Sequence, residues 1–140
     1  MWGWGRRPFP TLGDMNGRVV HFELPVDDAE RAKTFYADVF GWHLTDLPAT
    51  TYTMVTTAPS DDRGTPADPG VINGGMAPRG GPISAPVVTI EVDDVDEALE
   101  RVVKSGGRIV AGREAVGEMG YTAYFSDSEG SVVGLWQSAS

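Results

Sequence analysis

The chain has 140 residues, enough for one domain that buries roughly 70% of the surface its unfolded form exposes. Its formal net charge of −9 sets it against nucleic acid and anionic membrane, whose recognition needs a cationic face. Without cysteine there are no disulfides, zinc–thiolate sites or thiol nucleophiles, and no apolar run approaches the ~18 residues that cross a bilayer.

The first residues, Met1-Trp2-Gly3-Trp4-Gly5-Arg6-Arg7-Pro8, lack the apolar core of a secretory signal, so a cytoplasmic protein is expected. Residues 1–16 show no periodicity and read as an irregular arm. It is either a disordered tail or, through Trp2, Trp4 and Phe9, a segment that docks on its own or a neighbouring subunit. Residues 17–140 read as a single domain. The first strand is expected over about 18–25. Alternation sets Val19, His21 and Glu23 on one face and Val20, Phe22 and Leu24 on the other, where a helix packs. Pro25 is expected to end the strand, and Asp27 or Asp28 to cap a helix over 29–40. The helix stripe is Ala32, Phe35, Tyr36, Val39 and Phe40, with Gly41 as the stop. Strands follow over 42–47 and 50–57, then a patternless surface loop over 58–70 and a glycine-rich strand over 71–76.

After a hinge over residues 77–86 the order repeats. The runs ending in Val26-Asp27-Asp28 and Val92-Asp93-Asp94 lie 66 residues apart, close to half the chain. A strand over 87–92 leads to a helix capped by Asp93 or Asp94, with a core stripe of Val95, Ala98, Leu99, Val102 and Val103 and a stop at Gly106-Gly107. Three more strands are expected over 108–111, 120–126 and 131–137, the last two joined by a tight turn at Asp127-Ser128-Glu129-Gly130. The units span about 18–76 and 87–138, each strand–helix–three strands, facing each other across a cleft.

The run from His21 to Asp28, then Phe35-Tyr36, Phe40-Gly41-Trp42, Asn73-Gly74-Gly75-Met76, the run Glu91 to Asp94, the Asp127–Gly130 turn and Gly134-Leu135-Trp136-Gln137 carry a family likeness. The chain resembles a single domain of the vicinal oxygen chelate superfamily, which includes glyoxalase I, extradiol dioxygenases and the bleomycin- and fosfomycin-resistance proteins. It is most similar to the glyoxalase-like branch. The resemblance implies an α+β fold in which paired βαβββ units form cupped mixed sheets around a central cavity, commonly in a homodimer. Metal-dependent members place four ligands on inner strand positions. By that resemblance the first is His21 and the second lies around Asn73. The third corresponds through the internal repeat to Val87, and the fourth to Gly134. Valine and glycine have no donor atom and Asn73 is a neutral amide, so no cofactor is expected; a divalent metal on His21 with other ligands is the alternative.

His21 and Glu23, two apart on one strand, both point into the cleft within ~7 Å of each other. They are the catalytic candidates, able to share a proton or serve as a base and its orienter. Equally, they can simply bond to the facing strands and titrate normally. Trp42, Tyr52, Tyr121, Tyr124 and Trp136 give a second signal: Gly134 leaves open the space of a ligating Glu, and Trp136 on the same face walls it. Core packing is the plain alternative for Tyr124 and Phe125. His43 is expected to face solvent, Asp61-Asp62 to sit in a loop, and no phosphate-binding loop is present. The expected partner is a small, flat or aromatic organic molecule contacted by His21, Glu23, Tyr52, Asn73, Thr89 and Trp136. The leading function is metal-free small-molecule binding after the manner of the bleomycin-resistance proteins. The alternatives are a metal-dependent glyoxalase- or dioxygenase-type enzyme using His21 and Glu23, and metal-free acid–base catalysis by that pair.

Overall fold

In the computed structural model, which describes residues 17–139, strand–helix–three strands occurs twice. The first round is β1 (Val19–Val26), α1 (Ala29–Phe40), β2 (His43–Asp46), β3 (Thr53–Thr56) and β4 (Asn73–Pro78). The second is β5 (Val87–Glu91), α2 (Val95–Lys104), β6 (Arg108–Val116), β7 (Gly120–Ser126) and β8 (Val132–Ser138). All eight strands join one mixed sheet, ordered β2-β3-β4-β1-β5-β8-β7-β6, so the two βαβββ units meet edge to edge at the antiparallel β1–β5 pair. This is the expected α+β architecture. The arm expected over residues 1–16 lies outside the described residues. No helix among the described residues is long and apolar enough to cross a membrane.

Local chemistry explains the boundaries. Of the two aspartates before each helix, the second caps it: Asp28 accepts from the Arg31 N–H and Asp94 from the Glu97 N–H, both at 3.0 Å. Gly41 closes α1 in the left-handed region at φ 70, its N–H donating to the Ala37 carbonyl at 2.9 Å. Pro25 does not end β1; it lies inside the strand, opposite Ala77 of β4. The Arg79 N–H bonds the Val26 carbonyl, which turns the backbone of Pro25 the other way, toward β5. There β5 has already ended, its last partner pair being Glu23–Val87, so no ladder bond is lost. Strand β3 is shorter than its β-branched composition suggests. The Thr50 hydroxyl donates to the Leu47 carbonyl and accepts from the Tyr52 N–H, a local turn that competes with the ladder. Strand β6 is longer, pairing with β7 along its length through two irregularities.

Both helices lie on one face of the sheet, but they carry unequal loads. Val95 and Leu99 of α2 close a core with Ala123 and Leu135, whereas α1 has no buried residue. Phe35, Val39 and Phe40, expected to face the core, are exposed, and so is Val103 of α2. Helix α1 is held at the sheet's rim instead. Lys33 reaches Asp46 of β2 at 3.0 Å, and Tyr36 stacks on Trp42 with centroids 4.9 Å apart. Beneath it Val55 and Met76 are fully covered, so β3 and β4 supply the first unit's buried side chains. Leu99→Ala should therefore cost about 2–5 kcal/mol of unfolding free energy. Val39→Ala, at a residue 54% exposed, should stay within about 0.5 kcal/mol. Urea unfolding of the two variants checks the asymmetry.

Candidate functional site

The face opposite the helices is organised by register. His21 of β1 pairs with Asn73 of β4 on one side and Thr89 of β5 on the other, and Thr89 in turn pairs with Gly134 of β8. One step along, Glu23 pairs with Gly75 and Val87. Glu23 is only 7% exposed, at the seam of the two units, and forms no salt bridge among the described residues. A carboxylate there must be satisfied by hydrogen bonds or cost several kcal/mol. Two tyrosines supply them. The Tyr52 hydroxyl donates to Glu23 Oε2 at 2.9 Å, and the Tyr124 hydroxyl donates to Oε1. Tyr52 Oη also lies 2.8 Å from His21 Nε2.

Gly75 makes room for the Tyr52 ring, and Gly134 for the Thr89 hydroxyl. A Cβ on Gly75 would meet Tyr52 Oη at 1.9 Å, and one on Gly134 would meet Thr89 Oγ1 at 2.9 Å and Tyr124 Cε1 at 3.5 Å. Tyr124 stands three strands from Glu23 in the sheet order, on the order of 14 Å in a flat sheet. Their hydrogen bond requires the sheet to curl toward this face, which makes it the inside of the cup.

The sequence-predicted residues are thus divided. His21, Glu23 and Tyr52 meet in one network, and Thr89 lies beside it against Gly134. Asn73 turns to the loop: its carbonyl accepts from the Thr57 N–H at 2.8 Å, and its amide donates to Ser60 Oγ at 2.8 Å and the Gly64 carbonyl at 2.9 Å. The Trp136 ring lies over Gly120, its indole N–H donating to Ser138 Oγ at 3.2 Å, while the atoms nearest a Cβ at Gly134 belong to Thr89 and Tyr124. Tyr124, which the sequence left open between the aromatic signal and core packing, joins the network through Glu23. Counting outward from the Asp127–Gly130 turn sets Tyr124 opposite Gly134, an aromatic over a glycine, and that was the available signal. His43 is exposed, and Asp61 accepts from the Arg63 and Thr65 N–H groups within its own loop.

The residues at the four family ligand positions do not fit a metal. Val87 and Gly134 offer no donor, Asn73 is engaged by the loop, and the Tyr52 ring fills the space over Gly75. Among the described residues no group of three or more His, Asp or Glu side chains converges as a cation site. Burial favours the neutral forms of the imidazole and of the two phenols. Burial holds the His21 imidazole below its ordinary value of 6.5, against the raising influence of Glu23. Burial, and then the Glu23 carboxylate, pushes both phenols up from their ordinary value of 10.0. Because folded His21 resists protonation, the unfolded chain binds more protons below about pH 6.5, and stability falls as pH drops through that window. Unfolding free energy measured at about pH 7.5 and about pH 5.5 should show this decline in the parent chain. His21→Gln should show a smaller one.

The comparisons with known proteins come to bear on this geometry. The bleomycin resistance protein-like N-terminal family matches residues 18–58. A putative glyoxylase, CFP32, of Mycobacterium tuberculosis is 34% identical over 122 residues, covering 82% of this chain and 43% of that protein. The chain therefore spans less than half the length of that relative. A glyoxylase-like domain-containing protein of Didymella fabae is 31% identical over 122 residues, covering 83% of this chain and 90% of that one. Among solved structures, methylmalonyl-CoA epimerase from Mycobacterium tuberculosis superposes with a TM-score of 0.60 at 18% identity, covering 97% of this chain and 96% of that one.

Proposed function

The chain belongs to the vicinal oxygen chelate superfamily, among its glyoxylase-like members, and from that premise we propose that it binds a small organic molecule in the cup without a metal. The observation that carries this reading is the consumption of the cup's charged group by its own tyrosines. Glu23 spends both carboxylate oxygens on Tyr52 and Tyr124, and His21 Nε2 faces Tyr52. A chelating site needs those lone pairs directed at an open point. Here they are directed at phenols.

The guest sits over the partly exposed rings of His21, Tyr52 and Tyr124, a surface that suits a flat or aromatic molecule better than an ion. A small-molecule partner agrees with the name of the methylmalonyl-CoA epimerase that shares the fold. We further propose a homodimer. The uncovered apolar residues of α1, Phe35, Val39 and Phe40, support a second copy packing there. A second reading, acid–base catalysis by His21 without a metal, is favoured by the burial that keeps this imidazole neutral at ordinary pH.

A thermal-shift screen against aromatic metabolites and antibiotics tests the binding reading. A guest of the folded chain alone adds about 2.7 kcal/mol at a hundredfold excess over its Kd. Melting should not respond to chelator or to added Mg²⁺, Zn²⁺ or Ni²⁺. Stoichiometric metal whose removal lowers the melting point or abolishes binding would overturn the proposal. His21→Ala then separates the two readings: a binder loses affinity modestly, whereas a catalyst loses turnover by roughly 10²-fold or more.

A further inference from the structure

The Tyr52 hydroxyl has one proton and two polar neighbours, Glu23 Oε2 at 2.9 Å and His21 Nε2 at 2.8 Å. Glu23 accepts on both oxygens, from Tyr52 at Oε2 and from Tyr124 at Oε1. The Tyr52 proton is therefore committed to Glu23, and what Oη turns toward His21 is a lone pair. Two lone pairs 2.8 Å apart would repel, so Nε2 must carry hydrogen and donate to Oη. A neutral imidazole with hydrogen on Nε2 has its other lone pair on Nδ1. Among the described residues no hydrogen bond reaches that atom; the ring's side-chain bond is the one to Tyr52. His21 is half-buried on the inner face of the sheet, with Nδ1 left without a hydrogen-bond partner among the described residues.

We infer that Tyr52 is a positioning residue that locks His21 as the Nε2–H tautomer, and that the cup selects guests carrying a hydroxyl or N–H group able to donate to His21 Nδ1. The second half rests on the binding reading above; the first does not. The chain of donors runs one way, from His21 to Tyr52 to Glu23, and its direction is fixed by a carboxylate that cannot donate. Glu23 reaches the guest only through this relay. The guest consequently meets one directional acceptor on an aromatic surface rather than a negative charge, which disfavours ammonium and guanidinium groups relative to neutral donors.

Two-dimensional ¹⁵N–¹H spectra of the histidine-labelled chain test both halves, because protonated and bare imidazole nitrogens resonate far apart. In the free protein His21 should show hydrogen on Nε2 and a bare Nδ1. Hydrogen on Nδ1 instead overturns the lock. Tyr52→Phe keeps the ring over Gly75 and removes the hydroxyl, and it should convert His21 to a mixture of tautomers; an unchanged spectrum also overturns the lock. Should that variant fail to fold, the spectrum of the parent chain decides alone. Phenol and its methyl ether anisole, added at equal high concentration, probe the guest. Phenol should shift Nδ1 and bind roughly tenfold more tightly than anisole, the worth of one hydrogen bond. Equal responses to the two overturn the donor preference while leaving binding intact. No response to either, with the tautomer as expected, overturns the guest assignment together with the binding reading.

Discussion

A carboxylate buried at the joint between two half-sheets constrains much of this molecule. Glu23 sits on β1, the strand that pairs both with its own unit through β4 and with the other unit through β5. Without a cation beside it, the carboxylate is tolerable only if donors arrive from elsewhere, and they arrive from both units: Tyr52 from the first, Tyr124 from the second. The hydrogen bonds thus act as a cross-tie over the seam. They also fix the residues opposite, since a side chain at position 75 would occupy the space of the Tyr52 hydroxyl and one at 134 would press on Thr89.

The two units share a chain path but divide the labour. The second has the better-formed hydrophobic core, in which α2 packs Val95 and Leu99 against Ala123 of β7 and Leu135 of β8. The first is held by polar and aromatic ties at its rim: the Lys33 ion pairs with Glu30 and Asp46, the Tyr36–Trp42 stack, and the Asn73 side chain pinning the loop after β3. Exposed ion pairs of this kind contribute little each, so the first unit draws its stability mainly from Val55 and Met76 and from its long edge with β5. The unit that carries His21, Glu23 and Tyr52 thus has the less buried helix of the two.

Much of this was legible in the residues. Alternation placed His21 and Glu23 on one face because a strand has only two faces, and the aspartates before each helix announced caps because few other residues satisfy the orphan N–H groups there. Glycine stops and the turn at Asp127–Gly130 were legible for the same steric reasons. What escaped were features set by partners distant in sequence. Pro25 could stay in β1 only because β5 had ended beside it, and no local rule contains that information. Helical spacing identified the apolar face of α1 correctly but could not say that the helix would rest on the rim and leave Phe35 and Phe40 in the open. Tyr124 and Glu23 are 101 residues apart, and their meeting depends on strand order and sheet curvature together.

The repeat itself explains why the cup is asymmetric. Parallel pairing makes Glu23 and Gly75 in the first unit the counterparts of Thr89 and Gly134 in the second. Each glycine leaves space that a neighbouring side chain uses, the Tyr52 ring at Gly75 and the Thr89 hydroxyl at Gly134. The two halves differ at the polar position: a carboxylate in one, a hydroxyl in the other. Had both been carboxylates, two like charges would lie diagonal to each other across the β1–β5 pair, disfavouring ionisation of both. With Thr89 at the repeat-related position, diagonal to Glu23 across the β1–β5 pair, the single carboxylate is satisfied by two phenols. With a hydroxyl at the position that repeats Glu23, the inner face carries a single buried carboxylate there, and two phenols hold it.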